Sequence, residues 1–283
     1  MIGDPPQVVL LDNGRRLHLH HGPIDLIIEQ QDPLAPQAYE RAAKRFETLL
    51  SSLVTELPLL RRATAAGHQF ADPVAGRMQH ATEKFLPAFV TPMASVAGAV
   101  ADEILAAMTC SPATGKTYVN NGGDCAFHIP PGDHFKLAVA ASIPAMIEVP
   151  ATAGIRGVAT SGWGGRSFSL GIADSVTVLA ETAAQADAAA TLLANTVDLP
   201  GHPAIHRVPA SALAPDSDLG DRLVTRQVAP LSKDEIAMAL DGGRQLAAQM
   251  AQRGLIAAAL ITLQGAARVV GDDSLITHAQ GIK

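Results

Sequence analysis

The spacing of apolar residues changes along the chain, and this change limits the folds that the sequence allows. Apolar and polar residues alternate from Arg16 to His20, and the run Ile24–Ile28 follows after His21-Gly22-Pro23, which is typical of a β-hairpin. From Gln37 to Glu56 the apolar residues recur every three or four positions, which predicts an amphipathic helix that ends at Pro58. The fold must therefore combine strands with helices.

The middle of the chain is rich in predicted strands. Residues 117–180 contain short runs of Val, Ile, Phe and Thr that are broken by Gly and Pro. A helix is predicted to begin at Thr91, with Pro92 in its first turn, and another runs from the capping pair Thr182 and Gln185 to about Val197. Strand and helix do not alternate regularly. This order favours an α+β fold of layered antiparallel sheets with packed helices over a doubly wound sheet.

The last third of the chain has clear start and stop signals. Prolines and aspartates between Gly201 and Pro230 predict a long surface loop. Ser232 followed by Glu235 predicts a capping box that opens a helix reaching Gly254. Residues 255–263 and 266–270 are predicted to be closing strands.

Charge and cysteine content exclude several classes of protein. The 283 residues include 27 acidic and 21 basic side chains, for a net charge of −6. No basic block could neutralise a run of phosphates, so we expect no nucleic-acid partner. The two cysteines cannot form a disulfide framework, and no apolar run approaches the ~20 residues of a membrane span. The first residues lack a signal-peptide pattern, which predicts a cytoplasmic protein without a membrane segment.

A glycine pair stands between two predicted strands, in the run Asn120-Asn121-Gly122-Gly123-Asp124. Asn, Gly and Asp are the expected residues of a hairpin turn. Paired glycines also let backbone N–H groups approach a ligand closely, with Asp124 holding a metal, a hydroxyl or its own turn. Both interpretations stay open.

The segment Gly157–Arg166 gathers four glycines, Thr160, Ser161 and an arginine around Trp163, the only tryptophan of the chain. Consecutive N–H groups can form a nest for phosphate oxygens, to which the hydroxyls add donors and Arg166 adds a fixed charge. The alternative is a flexible connection in which Trp163 packs on the core. We favour contact with an anionic ligand, because a flexible connection has little use for Trp163 and Arg166.

Asp187 and Thr191 are four residues apart in a predicted helix, so their side chains share one face. A carboxylate and a hydroxyl at this spacing offer two hard oxygens to Mg²⁺, whose remaining positions phosphate and water would fill. The alternative is structural, because an Asp near a helix start interacts with the helix dipole and a Thr in an alanine-rich helix packs.

Two pairs of histidines are further candidates for metal ligands. His18 and His20 share one face of a predicted strand, and His202 and His206 are four residues apart. Neither pair has an identifiable third ligand, so exposed histidines are the favoured interpretation. The sequence has no nucleophile elbow, no HExxH pattern and no dinucleotide fingerprint, which leaves hydrolase and dehydrogenase hypotheses without support.

Four segments, taken in order, resemble the ApbE superfamily of flavin transferases. They are Ala97–Asp102, Gly122-Gly123-Asp124, Thr160-Ser161-Gly162 and Ala186–Thr191. The phrases Gly-Pro-Ile-Asp-Leu, Asn-Gly-Gly-Asp and Ala-Thr-Ser-Gly-Trp-Gly-Gly-Arg-Ser are similar to those of the UPF0280 family within that superfamily. The resemblance implies a single ApbE-like, T-fold-like domain over residues 1–283, whose motifs lie at about residues 90–197.

The resemblance also implies a site and a reaction. Asp187 and Thr191 would hold Mg²⁺. The residues expected against the flavin nucleotide are Gly122, Gly123, Asp124, Thr160, Ser161, Gly162 and Arg166. With FAD as cofactor, the reaction would transfer FMN to a flavin-acceptor protein or cleave the FAD diphosphate. Metal and loops together would neutralise the diphosphate and make it labile to attack.

The chain departs from the family pattern at two places. Ala97 stands where the family has a lysine, and no histidine lies between Arg166 and Asp174, where the flavin transferases carry one. His128 and His134 are the nearest substitutes, and no catalytic residue is assigned. The alternatives are a non-catalytic cofactor-binding accessory protein and an enzyme that acts on an unrelated small ligand in the same cleft. The sequence does not specify an oligomeric state.

Overall fold

Helices and antiparallel strands are interleaved along the chain, as the α+β prediction requires. The computed structural model describes residues 5–110, 114–140 and 143–278. The helices in these ranges are α1 (Ala35–Leu60), α2 (Pro73–Glu83), α3 (Val96–Met108), α4 (Ala183–Thr196), α5 (Ala210–Leu213) and α6 (Lys233–Gln252). The strands are β1 (Gln7–Leu11), β2 (Arg16–His21), β3 (Ile24–Gln30), β4 (Thr117–Asn121), β5 (Asp124–His128), β6 (His134–Val139), β7 (Ala145–Pro150), β8 (Gly157–Ser161), β9 (Ser175–Ala180), β10 (Ile205–Pro209), β11 (Leu223–Val228), β12 (Ala258–Leu263), β13 (Ala266–Gly271) and β14 (Ile276–His278).

The chain divides into two compact units. The first unit comprises Met1–Phe135, Pro150–Ala159 and Glu181–Asp187. The second unit comprises Lys136–Val149, Thr160–Ala180 and Ala188–Lys283. A single domain over residues 1–283 stays a prediction.

The first unit is an antiparallel sheet covered by helices. Its strands follow the order β1-β2-β3-β4-β5, and β5 pairs with the start of β8 at Ala126 and Gly157. The predicted hairpin is confirmed as β2 and β3, with Arg16 opposite Glu29. Side chains of one sheet face and of α1 and α3 form the core, because alternate strand residues point to the same side. Fully buried members are Leu19, Leu26, Ile28, Phe46, Leu49, Ile104 and Met108.

Two predicted helix boundaries in this unit are wrong. Pro58 does not end α1, because a proline removes only one backbone donor and the N–H of Arg61 still reaches the carbonyl of Leu57 at 3.0 Å. The segment from Pro92 to Ser95 is a 3₁₀ turn, and α3 begins after it at Val96. A 3₁₀ turn is a common lead-in to an α-helix, and the sequence pattern does not separate the two.

The second unit carries three small groups of strands. The antiparallel strands β9, β12 and β13 are adjacent in that order, β14, β7 and β6 form a three-stranded sheet, and β10 pairs with β11. Helix α6 packs on β12 and β13. The two closing strands predicted from the sequence are therefore confirmed, and so is the capping box, since Glu235 N–H donates to Ser232 Oγ at 3.3 Å.

The loop predicted over residues 201–230 is wrong. This segment contains β10, α5 and β11, with Ile205 opposite Val228. A register irregularity between His206 and Arg207 interrupts the alternation that would have marked β10 as a strand. No helix within the described residues has the length and apolarity that crossing a membrane would require.

The core of the first unit contains one uncompensated polar ring. His21 is 5% exposed and packs edge-on against Phe46, with ring centroids 6.3 Å apart. Within the described residues neither ring nitrogen has a hydrogen-bond partner. We therefore expect His21→Leu to raise the free energy of unfolding by about 1–2 kcal/mol, since an unsatisfied buried polar group is replaced by an apolar one of similar size.

Urea unfolding of His21→Leu beside His20→Leu tests this expectation. His20 lies next to His21 on β2 but points to the opposite sheet face and is only partly buried. The His20 variant should stay within about 0.5 kcal/mol of the wild type. A lower stability of His21→Leu than of the wild type would contradict the prediction.

Candidate functional site

The glycine pair forms the turn between β4 and β5. Gly122 and Gly123 have φ angles of 63° and 118°, a region that favours glycine, and the N–H of Gly123 donates to Asn120 Oδ1 at 2.9 Å. The turn interpretation of this run is thus confirmed. The turn places Asp124 at the start of β5 with only 8% of its surface exposed.

This hairpin is tied to helix α3. Asn121, opposite Asp124 in the register, donates from Nδ2 to the carbonyl oxygen of Ala97 at 3.1 Å. The first two segments of the resemblance, Ala97–Asp102 and Gly122-Gly123-Asp124, therefore lie together in the first unit.

Helices α3 and α4 bind each other's first turns through two carboxylates. On α3, Asp102 accepts the N–H groups of Ala183 at 3.0 Å and Ala184 at 2.9 Å, in the first turn of α4. On α4, Asp187 accepts the N–H of Gly98 at 3.0 Å, in the first turn of α3, and also that of Ala97. Each carboxylate satisfies N–H groups that a helix start leaves without partners. We call this arrangement, Asp102 and Asp187 with their four N–H partners, the α3–α4 clamp.

Two glycines allow the start of α4 to come this close. A Cβ on Gly98 would lie 2.2 Å from the carbonyl oxygen of Ala183, and a Cβ on Gly157 would lie 2.1 Å from the N of Ala183. Both distances are far below van der Waals contact. Gly98 and Asp102 are four residues apart on one face of α3, which is the signal in the sequence that could have revealed the contact.

The clamp holds acidic groups in a poorly solvated place. Burial raises the pKa of Asp187 well above its usual value, the charge of Asp124 raises it further, and the two N–H donors from α3 oppose this shift only in part. Burial also raises the pKa of Asp102 to about 6, against the effect of its two backbone donors. A cation placed near these carboxylates would stabilise their ionised forms.

The raised pKa of Asp102 predicts how its contribution to stability depends on pH. Its pKa is about 6 in the folded chain and near 3.8 when unfolded. Stability therefore falls as the pH rises from the unfolded to the folded pKa, because over this range the unfolded group ionises while the folded group keeps its proton, and the loss is complete above pH 6. Between pH 4.5 and 7.5 this group should cost about 2 kcal/mol. Asp102→Asn does not titrate, so the stability advantage of the wild type over it should shrink by that amount in urea unfolding. An advantage that grows over this range would contradict the prediction.

A lysine reaches the first turn of α4. Lys84 follows α2, and its Nζ donates to Gln185 Oε1 at 2.5 Å. Sequence analysis missed this residue, because nothing in its own neighbourhood relates it to a segment one hundred positions away. Lys84 therefore brings a positive charge to the turn that precedes Asp187. Ala97, which stands where the family has a lysine, carries no charge.

The third segment of the resemblance, Thr160-Ser161-Gly162, lies in the second unit. Thr160 and Ser161 end β8, and the Thr160 hydroxyl is 2.8 Å from that of Thr177 on β9. Gly162 follows, where a Cβ would lie 2.3 Å from the carbonyl oxygen of Asp174. This close approach requires glycine at position 162.

The loop after Gly162 is held by Asp174. Trp163 donates from its indole nitrogen to Asp174 Oδ1 at 3.3 Å, while the other carboxylate oxygen accepts the N–H of Gln264 at 2.6 Å. The N–H groups of Trp163 and Gly165 donate to Ala173 and Gly162 carbonyls, so neither is available to the predicted anion nest. Arg166 is exposed, and no described residue forms an ion pair or hydrogen bond with it.

Thr191 lies one turn after Asp187 on α4, as predicted, and is assigned with the second unit. The histidine pairs have other partners: His18 contacts Asp25 at 2.6 Å, and His202 contacts Glu235 at 2.9 Å. Among the residues that the structure describes, no three His, Cys, Asp or Glu side chains are grouped to hold a metal ion. A metal at Asp187 would therefore take further oxygens from hydroxyl, phosphate or water.

His128 and His134, the nearest candidates for a general base, lie at the end of β5 and the start of β6. Burial, followed by the charge of Arg156, lowers the pKa of His128. A lowered pKa keeps the imidazole neutral and able to accept a proton near neutral pH.

A solved structure shares the fold of this chain. The crystal structure of the Pseudomonas stutzeri flavinyl transferase ApbE, in its apo form, matches 97% of this chain and 98% of its own, with a TM-score of 0.52 and 11% sequence identity. At this identity the likeness defines the fold alone. The ApbE-like α+β fold predicted from the sequence is thereby confirmed.

The sequence comparisons define the family. A family model described as AbpE bacteria matches residues 8–269, and the chain belongs to this family. A UPF0280 protein of Methanothrix thermoacetophila is 42% identical over 135 residues, 45% of this chain and 53% of the relative. A UPF0280 protein of Methanopyrus kandleri is 42% identical over 127 residues, 44% of this chain and 49% of the relative. The chain thus spans about half the length of these curated relatives, and the predicted resemblance is confirmed.

Proposed function

We propose that this protein binds a flavin nucleotide together with Mg²⁺ and catalyses either FMN transfer from FAD to an acceptor protein or cleavage of the FAD diphosphate. The observation that carries the proposal is the environment of Asp187. Its carboxylate is oriented by backbone N–H groups, faces the charge of Asp124 and has a raised pKa. A divalent cation is the partner that this arrangement favours.

The donor atoms around Asp187 fit Mg²⁺. The ion prefers oxygen ligands and usually binds through one or two carboxylates, with substrate phosphates and water at the other positions. Asp187 supplies a carboxylate that is itself hydrogen-bonded, which is the usual support of a metal ligand, and Thr191 supplies a hydroxyl one helical turn away. When bound, Mg²⁺ would neutralise the charge of the diphosphate and make its bond labile to attack.

The remaining predicted residues would act on the nucleotide itself. The turn at Gly122 and Gly123 has no side chain that would block a ligand, and Arg166 offers an exposed guanidinium for a phosphate. Trp163 would present its ring to the isoalloxazine or adenine ring, with its indole N–H fixed by Asp174. The fold of the flavinyl transferase ApbE from P. stutzeri supports the choice of a flavin.

A cofactor-binding accessory protein is the second candidate function. Asp174 ends the segment in which the flavin transferases carry a histidine, and both of its carboxylate oxygens form contacts, with Trp163 and Gln264. It is therefore engaged in holding its loop. Together with the missing lysine and histidine, this favours binding without turnover.

Titration with FAD, with and without Mg²⁺, distinguishes the two candidates. Trp163 is the only tryptophan, so its fluorescence reports binding beside that of the flavin. Mg²⁺-dependent binding with release of FMN and AMP, quantified by chromatography, supports the enzyme. With water as acceptor, FAD and H₂O yield FMN and AMP; with a protein hydroxyl, the FMN stays attached and AMP leaves. Binding without AMP supports the accessory protein, and absence of FAD binding overturns both.

A further inference from the structure

Asp102 is engaged with the helix that carries Asp187. Its two carboxylate oxygens accept one N–H each, from Ala183 and Ala184, so two hydrogen bonds hold the first turn of α4. Asp187 lies one turn further along that helix and accepts a hydrogen bond from the N–H of Gly98 on α3. The position of the Asp187 carboxylate therefore depends on both helix starts.

The backbone contacts leave little freedom for the start of α4 to shift. Gly98 and Gly157 both touch the backbone of Ala183 at distances that exclude any side chain. The neighbouring residues of α4, Ala183 and Ala184, are buried and carry no atoms beyond Cβ. Removal of the Asp102 carboxylate would break the two hydrogen bonds by which a side chain of α3 holds the first turn of α4.

We propose that Asp102 is a positioning residue that fixes the Asp187 carboxylate in the orientation needed to bind a divalent cation, acting through the first turn of α4. This inference rests on the proposed function, because it assumes that Asp187 binds Mg²⁺. Asp102 acts through the backbone of α4, since each of its two oxygens accepts one N–H group there. When a residue that supports a metal ligand through hydrogen bonds is changed, the affinity of the site for the metal typically falls by about 10–100-fold.

The test compares Asp102→Asn with Glu103→Gln at pH 7.5. An asparagine at 102 keeps one oxygen acceptor but places an NH₂ group opposite the second backbone N–H, so one of the two hydrogen bonds to α4 is lost. Glu103 is the next residue on α3 and makes ion pairs with Arg45 and Arg77 instead, so its variant is destabilised without any contact with α4. The dissociation constant for Mg²⁺ is measured calorimetrically, and amide hydrogen exchange of Ala97 and Gly98 is measured by NMR without metal.

The proposal expects Asp102→Asn to bind Mg²⁺ about tenfold more weakly than the wild type, with faster exchange at Gly98, while Glu103→Gln binds within about twofold. Equal losses in the two variants would overturn it, because a general loss of stability would then explain both. Unchanged Mg²⁺ affinity in Asp102→Asn, with or without faster exchange, would also overturn it. A wild type that binds no Mg²⁺ overturns the proposed function and this role of Asp102 together, whereas the other two outcomes leave the proposed function standing.

Discussion

Asp187→Asn should lose Mg²⁺-dependent FAD binding while becoming no less stable than the wild type. The amide removes the charged oxygen that would bind the ion, and we expect the affinity to fall by about 100-fold, or about 2.7 kcal/mol. Its carbonyl oxygen still accepts the N–H of Gly98. Titration of both proteins with FAD at saturating and zero Mg²⁺ gives the comparison.

The pH dependence of the stability of Asp187→Asn gives a second test of the environment of Asp187. Burial and the charge of Asp124 raise the pKa of Asp187, so in the absence of a cation the folded chain becomes less stable as the pH rises through that value. A neutral amide does not ionise. Asp187→Asn should therefore unfold at a higher temperature than the metal-free wild type at pH 8, with a smaller difference at pH 5.

Asp241→Asn provides the control for the same substitution at an exposed carboxylate. Asp241 lies on α6, where it pairs with Arg244 at 2.7 Å on the surface. Its variant should bind FAD and Mg²⁺ as the wild type does and change stability by less than about 0.5 kcal/mol. If Asp187→Asn kept full Mg²⁺-dependent binding, the metal site would have to be assigned to other residues.

Local sequence patterns predicted most of the elements that build both units. Alternation in β2 and the turn before β3 identified this hairpin, and capping residues identified α4 and α6, because these signals depend only on neighbours in the chain. Helix α2 was not predicted, although Asp72 caps it by accepting the N–H of Val74 and Pro73 stands at its first position. Its weakly amphipathic sequence leaves only those two signals. Strand β1 was missed as well, since its QVVLL run is exposed on both faces and shows no alternation.

The candidate site was predicted less completely than the fold. The resemblance named Asp124 and Asp187, which the structure brings together in the first unit, and Thr160, Ser161 and Gly162, which it places in the second. The spacing of Gly98 and Asp102 indicates that this face of α3 can approach another backbone closely. It does not indicate that Asp102 binds the first turn of α4, because the partners are backbone N–H groups about 80 residues away. Backbone groups are identical at every position, so no pattern of residue types reports which carboxylate will find them.

Gly98→Ala should strongly destabilise the first unit. The added Cβ would lie 2.2 Å from the carbonyl oxygen of Ala183, 2.4 Å from its carbonyl carbon and 2.7 Å from the N of Ala184. All three are backbone atoms, which cannot rotate away as a side chain can. The helices would have to separate, which breaks the hydrogen bonds of the α3–α4 clamp. We expect a loss of about 3–5 kcal/mol in the free energy of unfolding.

Gly76→Ala separates this steric effect from the intrinsic helix propensity of alanine. Gly76 lies inside α2, in the same unit, and a Cβ there would meet nothing within 4 Å. Alanine is a better helix former than glycine by about 1 kcal/mol, so the Gly76 variant should be more stable than the wild type and the Gly98 variant far less stable. Urea unfolding of the two variants thus tests opposite signs for one substitution. If Gly98→Ala were also stabilising, α3 and α4 could not be in the close contact that orients Asp187. The α3–α4 clamp would then be wrong.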